Sequence, residues 1–78
     1  MKLEIITPEK TLFTGEVKLV QLPGIDGSFE ILDHHAPLIS VLTGGRIKTQ
    51  DDLKQIQYFD IKGGVVEVLH NQVLILAE

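Results

Sequence analysis

The clearest strand signal in this sequence is VVEVLHNQVLIL, residues 65–76. Two short runs rich in Val, Leu and Ile, residues 65–69 and 73–76, are separated by polar residues, which is typical of neighbouring β-strands. Successive side chains of a strand point to opposite faces of the sheet. Because both runs are apolar at consecutive positions, each predicted strand has apolar side chains on both of its faces.

A sandwich of two layers covers only one face of each sheet. One of two sets of side chains would therefore lie outside, and an uncovered apolar sheet face implies a binding partner. The alternative is that chain ends and loops cover these side chains. The two sets are Val66, Val68, Val73 and Ile75 on one face, and Val65, Leu69, Leu74 and Leu76 on the other.

The rest of the chain repeats the period of two. Apolar or β-branched residues alternate with charged or polar ones around Leu3 and Ile5, Ile47 and Thr49, and Ile56 and Tyr58. The pairs Gly44-Gly45 and Gly63-Gly64 separate such runs and are predicted to form hairpin turns. No segment has the apolar spacing of a helix. The pattern predicts an all-β sandwich or flattened barrel in one domain, residues 1–78.

Composition excludes several classes of function. The chain has 78 residues, no cysteine and a net charge of −4, so no disulfide supports the core and the field repels the phosphate backbone of nucleic acids. No apolar run approaches the ~20 residues of a membrane-spanning helix. The start, MKLEIITPEK, is too charged for a signal peptide. We expect no nucleic-acid binding, and membrane association only through another protein.

A second segment of interest is GSFEILDHHAPL, residues 27–38. We interpret it as a loop whose shape is fixed by Pro37, which restricts the residue before it to extended geometry. Neighbouring His34 and His35 would then point in opposite directions. His35 either bonds loop backbone or is recognised by a partner, and Phe29 is the aromatic residue expected at an interface.

Catalytic chemistry has little support in the sequence. Asp33-His34-His35 matches a tripeptide of a metal-dependent phosphoesterase family, but that chemistry needs further carboxylate ligands, and His70 is the one remaining imidazole. No phosphate-binding glycine motif or serine-nucleophile motif is present. We expect no catalytic residue, no metal and no cofactor.

Several motifs occur in a recognisable order. They are Ile5-Ile6-Thr7-Pro8-Glu9 followed by Leu12-Phe13-x-Gly15, then Leu22-Pro23-Gly24, Gly27-x-x-x-Ile31-x-x-x-His35-Ala36-Pro37-Leu38, Gly63-Gly64-x-x-Glu67-Val68 and Leu76-Ala77-Glu78. Together they resemble the N-terminal domain of the epsilon subunit of F-type rotary ATP synthases. The resemblance covers essentially the whole chain, without the pair of C-terminal helices with which that family commonly continues.

The resemblance implies a flattened two-sheet sandwich of about ten short strands. It implies a non-catalytic rotor subunit of the central stalk, which binds the gamma subunit and the ring of c subunits and couples proton translocation to ATP synthesis. By position, Gly27, Ser28, Phe29 and His35 fall in the region that faces the ring and gamma. An outward face formed by Val65, Leu69, Leu74 and Leu76 would suit gamma. The expected location is peripheral, on the cytoplasmic face of a bacterial inner membrane, as part of the complex.

Two other hypotheses stay open at this point. The chain could be a free-standing β-sandwich module that recognises a peptide or a sugar through the residue 27–38 segment. It could also be a small metal-dependent hydrolase that uses Asp33, His34, His35 and His70.

Overall fold

The computed structural model describes residues 1–78 and contains seven strands and no helix. The all-β class is therefore confirmed, and no helix is present that could cross a membrane. The strands are β1 (Lys2–Ile6), β2 (Thr11–Glu16), β3 (Leu19–Gly24), β4 (Gly27–Leu32), β5 (Leu38–Gln50), β6 (Ile56–Leu69) and β7 (Gln72–Ala77).

The strands form one continuous sheet in the order β2-β1-β7-β6-β5-β3-β4. Neighbours are antiparallel except β1 and β7, which are parallel. The sheet folds over on itself: the ring of Phe13 on β2 contacts that of Phe59 on β6 with centroids 5.6 Å apart, although β1 and β7 lie between these strands in the sheet. We call β1, β2, β7 and residues 38–43 and 64–69 the first layer, and β3, β4 and residues 45–50 and 56–62 the second layer.

One core fills the space between the two layers. Alternating side chains of each strand enter it, as the period of two predicts. Leu3, Ile5 and Ile75 of the first layer and Val20 and Ile47 of the second are fully buried and belong to the same apolar cluster. Leu3 and Ile5 pair in register with Val73 and Ile75 across the parallel β1–β7 ladder. The core is therefore built by the strand alternation that the sequence displays.

The two glycine pairs are not hairpin turns, and this prediction is wrong. Gly44-Gly45 lies inside β5 and Gly63-Gly64 inside β6, so these strands are 13 and 14 residues long and cross from one layer to the other. The chain consequently has seven strands rather than about ten. A hairpin turn and a bend within a strand both favour glycine, which has no Cβ and tolerates unusual φ. The pairing of β5 with β6 on both sides of the glycines identifies these sites as bends.

The glycine pairs change the phase of the strand alternation. Before the bend in β5, Leu42 is buried, and after it Ile47 and Thr49 are buried; in β6 the buried residues change from Ile61 to Val66 and Val68. In each strand the inward positions switch between odd and even numbers at the glycines. The backbone φ values of Gly45 and Gly64, +159° and +154°, permit this switch because glycine has no Cβ.

The segment of residues 27–38 is only partly a loop. Gly27–Leu32 forms β4 and pairs with β3 from Leu19↔Leu32 to Gly24↔Gly27. The local signal was present, since Phe29 and Ile31 alternate with polar Ser28 and Glu30. The alternation around Ile56 and Tyr58 lies in strand β6, as predicted; both side chains are exposed, while Phe59 packs against the core.

Candidate functional site

The first layer has an exposed apolar face on the side away from the core, which we call the outer face. Ile39 is 72% exposed, and Val41, Val65, Leu69 and Leu76 are between 40% and 52% exposed. The other set of the predicted alternatives, Val66, Val68, Val73 and Ile75, is buried. Chain ends and loops therefore do not cover the outer face.

Strand register arranges the outer face in three rows across β5, β6, β7 and β1. The first row is Val41–Val65–Leu76–Ile6, the middle row is Ile39–Glu67–Leu74–Glu4, and the third row is Leu69–Gln72–Lys2. The first row is entirely apolar, whereas the middle row carries two carboxylates. The outer face can thus contact an apolar partner surface, and its two central carboxylates can interact with charged groups of that partner.

Sequence reasoning missed part of this surface. Val65, Leu69 and Leu76 were named as one possible outer set and are exposed, while Leu74 of that set is half-buried. Ile39 and Val41 were not named, although they alternate with Leu38, Ser40 and Leu42 in the manner of a strand. The pairs Ile39↔Glu67 and Val41↔Val65 add β5 to the face, and such pairing was not readable from β5 alone.

The other predicted partner-binding residues do not form one loop. Gly27 and Ser28 are exposed at the start of β4, and Phe29 is half-buried against the core. His35 follows the other end of the strand, and the five residue steps of β4 place its ends about 17 Å apart. The structure therefore separates these residues into two places.

Both places flank the outer face. At one end, the Ile25 N–H in the β3–β4 turn donates to the Val41 carbonyl at 3.2 Å, beside the first row. At the other end, the His34 N–H donates to Oδ1 of Asn71 at 2.7 Å, beside the third row. Asn71 belongs to the β6–β7 turn, where positive φ at His70 and Asn71 fits a two-residue hairpin loop.

The two adjacent histidines lie in a turn rather than in extended chain. His34 has φ of +63°, and the His35 N–H donates to the Leu32 carbonyl at 3.2 Å. Nδ1 of His35 lies 2.7 Å from the Ala36 carbonyl, and both imidazoles are exposed. The expected extended geometry is wrong here, because residues 33–37 form the turn by which the chain passes from β4 in the second layer to the start of β5 in the first layer.

Asp33 belongs to a cluster of charges rather than to a metal site. Its Oδ1 accepts a hydrogen bond from the Met1 ammonium at 2.6 Å, and its Oδ2 lies 3.2 Å from Nζ of Lys18. The hydrogen bond from the ammonium, followed by that from Lys18, lowers the pKa of Asp33. The hydrogen bond to Asp33 in turn raises the pKa of Lys18. Nowhere do three His, Asp or Glu side chains come together as metal ligands, so the donor geometry gives the hydrolase hypothesis no support.

Asp33→Asn should lower the thermal stability of the chain at neutral pH. The ordinary pKa of this carboxyl is 3.8 and folding lowers it, so its ionised form stabilises the folded state. That contribution is complete above about pH 4 and is lost as the pH falls through the folded-state pKa. The melting temperatures of wild type and variant, followed by circular dichroism, should therefore converge under acid conditions.

The matched control for this measurement is Asp26→Asn. Asp26 is exposed in the β3–β4 turn and has no ion pair. This variant should melt close to wild type at every pH. Equal stability of Asp33→Asn and wild type at neutral pH would show that the charge cluster adds nothing to the fold.

Comparison with known proteins agrees with the architecture. The family model of the ATP synthase delta/epsilon chain beta-sandwich domain matches residues 1–78. The ATP synthase epsilon chain of Chlorobium limicola is 43% identical over 77 residues, covering 99% of this chain and 88% of that protein. The epsilon chain of Chlorobaculum tepidum is 38% identical, covering 97% of this chain and 86% of that protein.

Solved structures share the fold at low sequence identity. A chain of the Euglena gracilis mitochondrial ATP synthase, from an OSCP/F1/c-ring structure, superposes with a TM-score of 0.90 at 18% identity, covering 96% of this chain and 48% of that one. A chain of the Tetrahymena thermophila mitochondrial ATP synthase central stalk and c-ring superposes with a TM-score of 0.81 at 21% identity, covering 97% of this chain and 61% of that one.

Epsilon chains are non-catalytic subunits of ATP synthase. The present chain belongs to the ATP synthase delta/epsilon chain family, whose beta-sandwich domain it matches from residue 1 to residue 78.

Proposed function

We propose that this chain is a rotor subunit of the central stalk, which binds the gamma subunit through the outer face. The observation that carries the proposal is the exposure of Ile39, Val41 and Leu76 on one continuous sheet surface. Apolar surface gains roughly 25 cal/mol per Å² when it is removed from water. A contiguous exposed patch of this kind on a small β-protein marks an interaction site. A free-standing peptide- or sugar-binding module has no need of such a surface.

The residues at the two ends of β4, which flank the outer face, are proposed to make further contacts with the complex. Gly27, Ser28 and Phe29, near the β3–β4 turn, contact the polar loops of the c-ring. His35, at the opposite end of β4, contacts gamma beside the third row. The two positions lie at opposite ends of a strand, which suits contacts to two different partners.

Coupling then follows from rigidity rather than from catalysis. A single sheet in which each strand is hydrogen-bonded to its neighbours from β2 to β4 acts as a rigid element. Fastened to both gamma and the ring, it rotates with them and transmits torque, so that proton translocation is coupled to ATP synthesis elsewhere in the complex. The subunit is held at the cytoplasmic face of a bacterial membrane through these contacts.

Leu69→Asp should weaken binding to purified gamma by about 10- to 100-fold, because it places a charge in a desolvated apolar interface. Its melting temperature should change little, since Leu69 points away from the core and is 46% exposed. Binding is measured by titration calorimetry with gamma from the same host.

The control variant is Leu53→Asp, at the tip of the β5–β6 turn, where the side chain is 82% exposed and lies off the outer face. It should bind gamma like wild type. Failure of the wild-type chain to bind gamma at micromolar concentration would remove the proposed function. Wild-type chain that binds gamma but is not retained by a gamma–c-ring complex would remove the ring contact alone.

A further inference from the structure

We propose that the surface which docks on the outer face presents a basic side chain, lysine or arginine, to Glu4 and Glu67. The inference rests on the proposed function, because gamma is taken as the partner, and it specifies the chemistry of the contact. Its basis is the position of the two carboxylates at the centre of the apolar patch.

The register fixes that position. Glu67 on β6 and Glu4 on β1 both pair with Leu74 on β7. Neighbouring strands are about 4.8 Å apart, so the two glutamate backbones are separated by roughly 10 Å. Side chains as long as glutamate can converge from that separation over Leu74, which is half-buried between them. One cationic group can therefore contact both carboxylates.

The middle row lies between the apolar first row and the third row, so docking buries both carboxylates. Neither one has an ion-pair partner within the chain, although Glu16 and Asp33 do. Burying an unpaired carboxylate is strongly unfavourable. The centres of protein interfaces are accordingly depleted of charge unless the charge is paired. The cost of burying the two carboxylates would therefore weaken the binding of an apolar partner that has no cation at this point.

The surface beside the carboxylates has room for such a side chain. A shallow depression of about 210 Å³ is lined by residues that include Glu4, Glu67, Lys2, Leu69 and Leu74. Its apolar wall can contact the stem of a lysine or arginine while the carboxylates hold the charged end. The one cation of the outer face, Lys2, belongs to the third row and makes no ion pair with either glutamate.

A second copy of this chain fits the outer face less well. Two identical faces that meet across a two-fold axis present the same residues to each other. The middle rows would then bring four carboxylates and only two Lys2 side chains into one dry interface. Charge complementarity therefore favours gamma over self-association.

The test measures binding of the Glu4→Gln and Glu67→Gln variants and of their double variant to gamma at low and high salt. Each single variant should bind at least about tenfold more weakly than wild type, because the partner's buried cation then keeps only one of its two carboxylates. The affinity of wild type should fall as salt is raised, and that of the double variant should fall less. Glu30→Gln, an exposed glutamate of the second layer, should behave like wild type.

Each outcome separates the two proposals. Wild type that binds gamma while both glutamine variants bind equally well would overturn the basic contact and leave the proposed function intact. Wild type that does not bind gamma removes the proposed function itself. Sedimentation that shows a dimer of the chain, disrupted by Leu69→Asp, would assign the outer face to a second copy and also overturn the inference. Unchanged melting temperatures would show that the variants remain folded.

Discussion

Ile75→Ala should lower the free energy of unfolding by about 2–5 kcal/mol, enough to unfold much of a marginally stable small domain. The Ile75 side chain is fully buried and pairs with Ile5 on β1 and Val66 on β6, both also fully buried. Truncation leaves a cavity among side chains that a continuous ladder holds in place. Urea denaturation followed by circular dichroism measures the loss.

Leu76→Ala provides the matched control one residue away. Leu76 is 52% exposed on the outer face, so its truncation should cost no more than about 1 kcal/mol. The pair tests the assignment of alternate residues of β7 to core and outer face. Equal losses for the two variants would show that this assignment is wrong.

Gly64→Ala should destabilise the fold by roughly 2–5 kcal/mol through two effects that add. A Cβ at Gly64 would overlap the Leu76 carbonyl oxygen and lie 3.0 Å from Cα of Ala77, and both are backbone atoms of β7 that cannot move aside. The φ of +154° is also unfavourable for an L-residue. Thermal unfolding of the purified variant measures the combined loss.

Gly63→Ala separates these two effects. Gly63 has a φ of +155°, but the nearest atom to a Cβ there is the Leu42 carbonyl oxygen at 3.5 Å, an ordinary contact. This variant should lose about 1–3 kcal/mol from backbone strain alone. If Gly63→Ala is as damaging as Gly64→Ala, the overlap with β7 contributes nothing and the close packing of β6 on β7 is not the reason for glycine at residue 64.

The bends at the glycine pairs connect the fold to the proposed function. They let β5 and β6 serve both layers, so that the even-numbered residues Leu42, Val66 and Val68 are buried while odd-numbered Ile39, Val41, Val65 and Leu69 face outward. In the second layer the inward residues of β5 and β6 are odd-numbered. Without the switch at the glycines, the odd-numbered residues of the first layer would also point inward. The outer face exists because the phase changes.

Most of the strand pattern was readable from the sequence. The alternation around Leu3, Ile5, Ile47 and Thr49 correctly predicted strands, and these four side chains are buried. Ile56 and Tyr58 also lie in a strand, β6, but their side chains are exposed. An alternating pattern shows that the two faces of a strand differ. Which face is buried also depends on how the strand is oriented in its layer.

The all-β class, the lack of helical spacing and the surplus of apolar residues in β6 and β7 are readable from the amino-acid order alone, because side-chain period and glycine placement act locally. Three features emerge from the folded sheet instead: Gly44-Gly45 and Gly63-Gly64 bend long strands, residues 27–32 form a strand that separates Ser28 from His35, and one surface is shared by Ile39, Val41, Glu4 and Glu67. These features depend on the register between strands far apart in sequence. That register is fixed by packing across the whole sheet and not by any single segment.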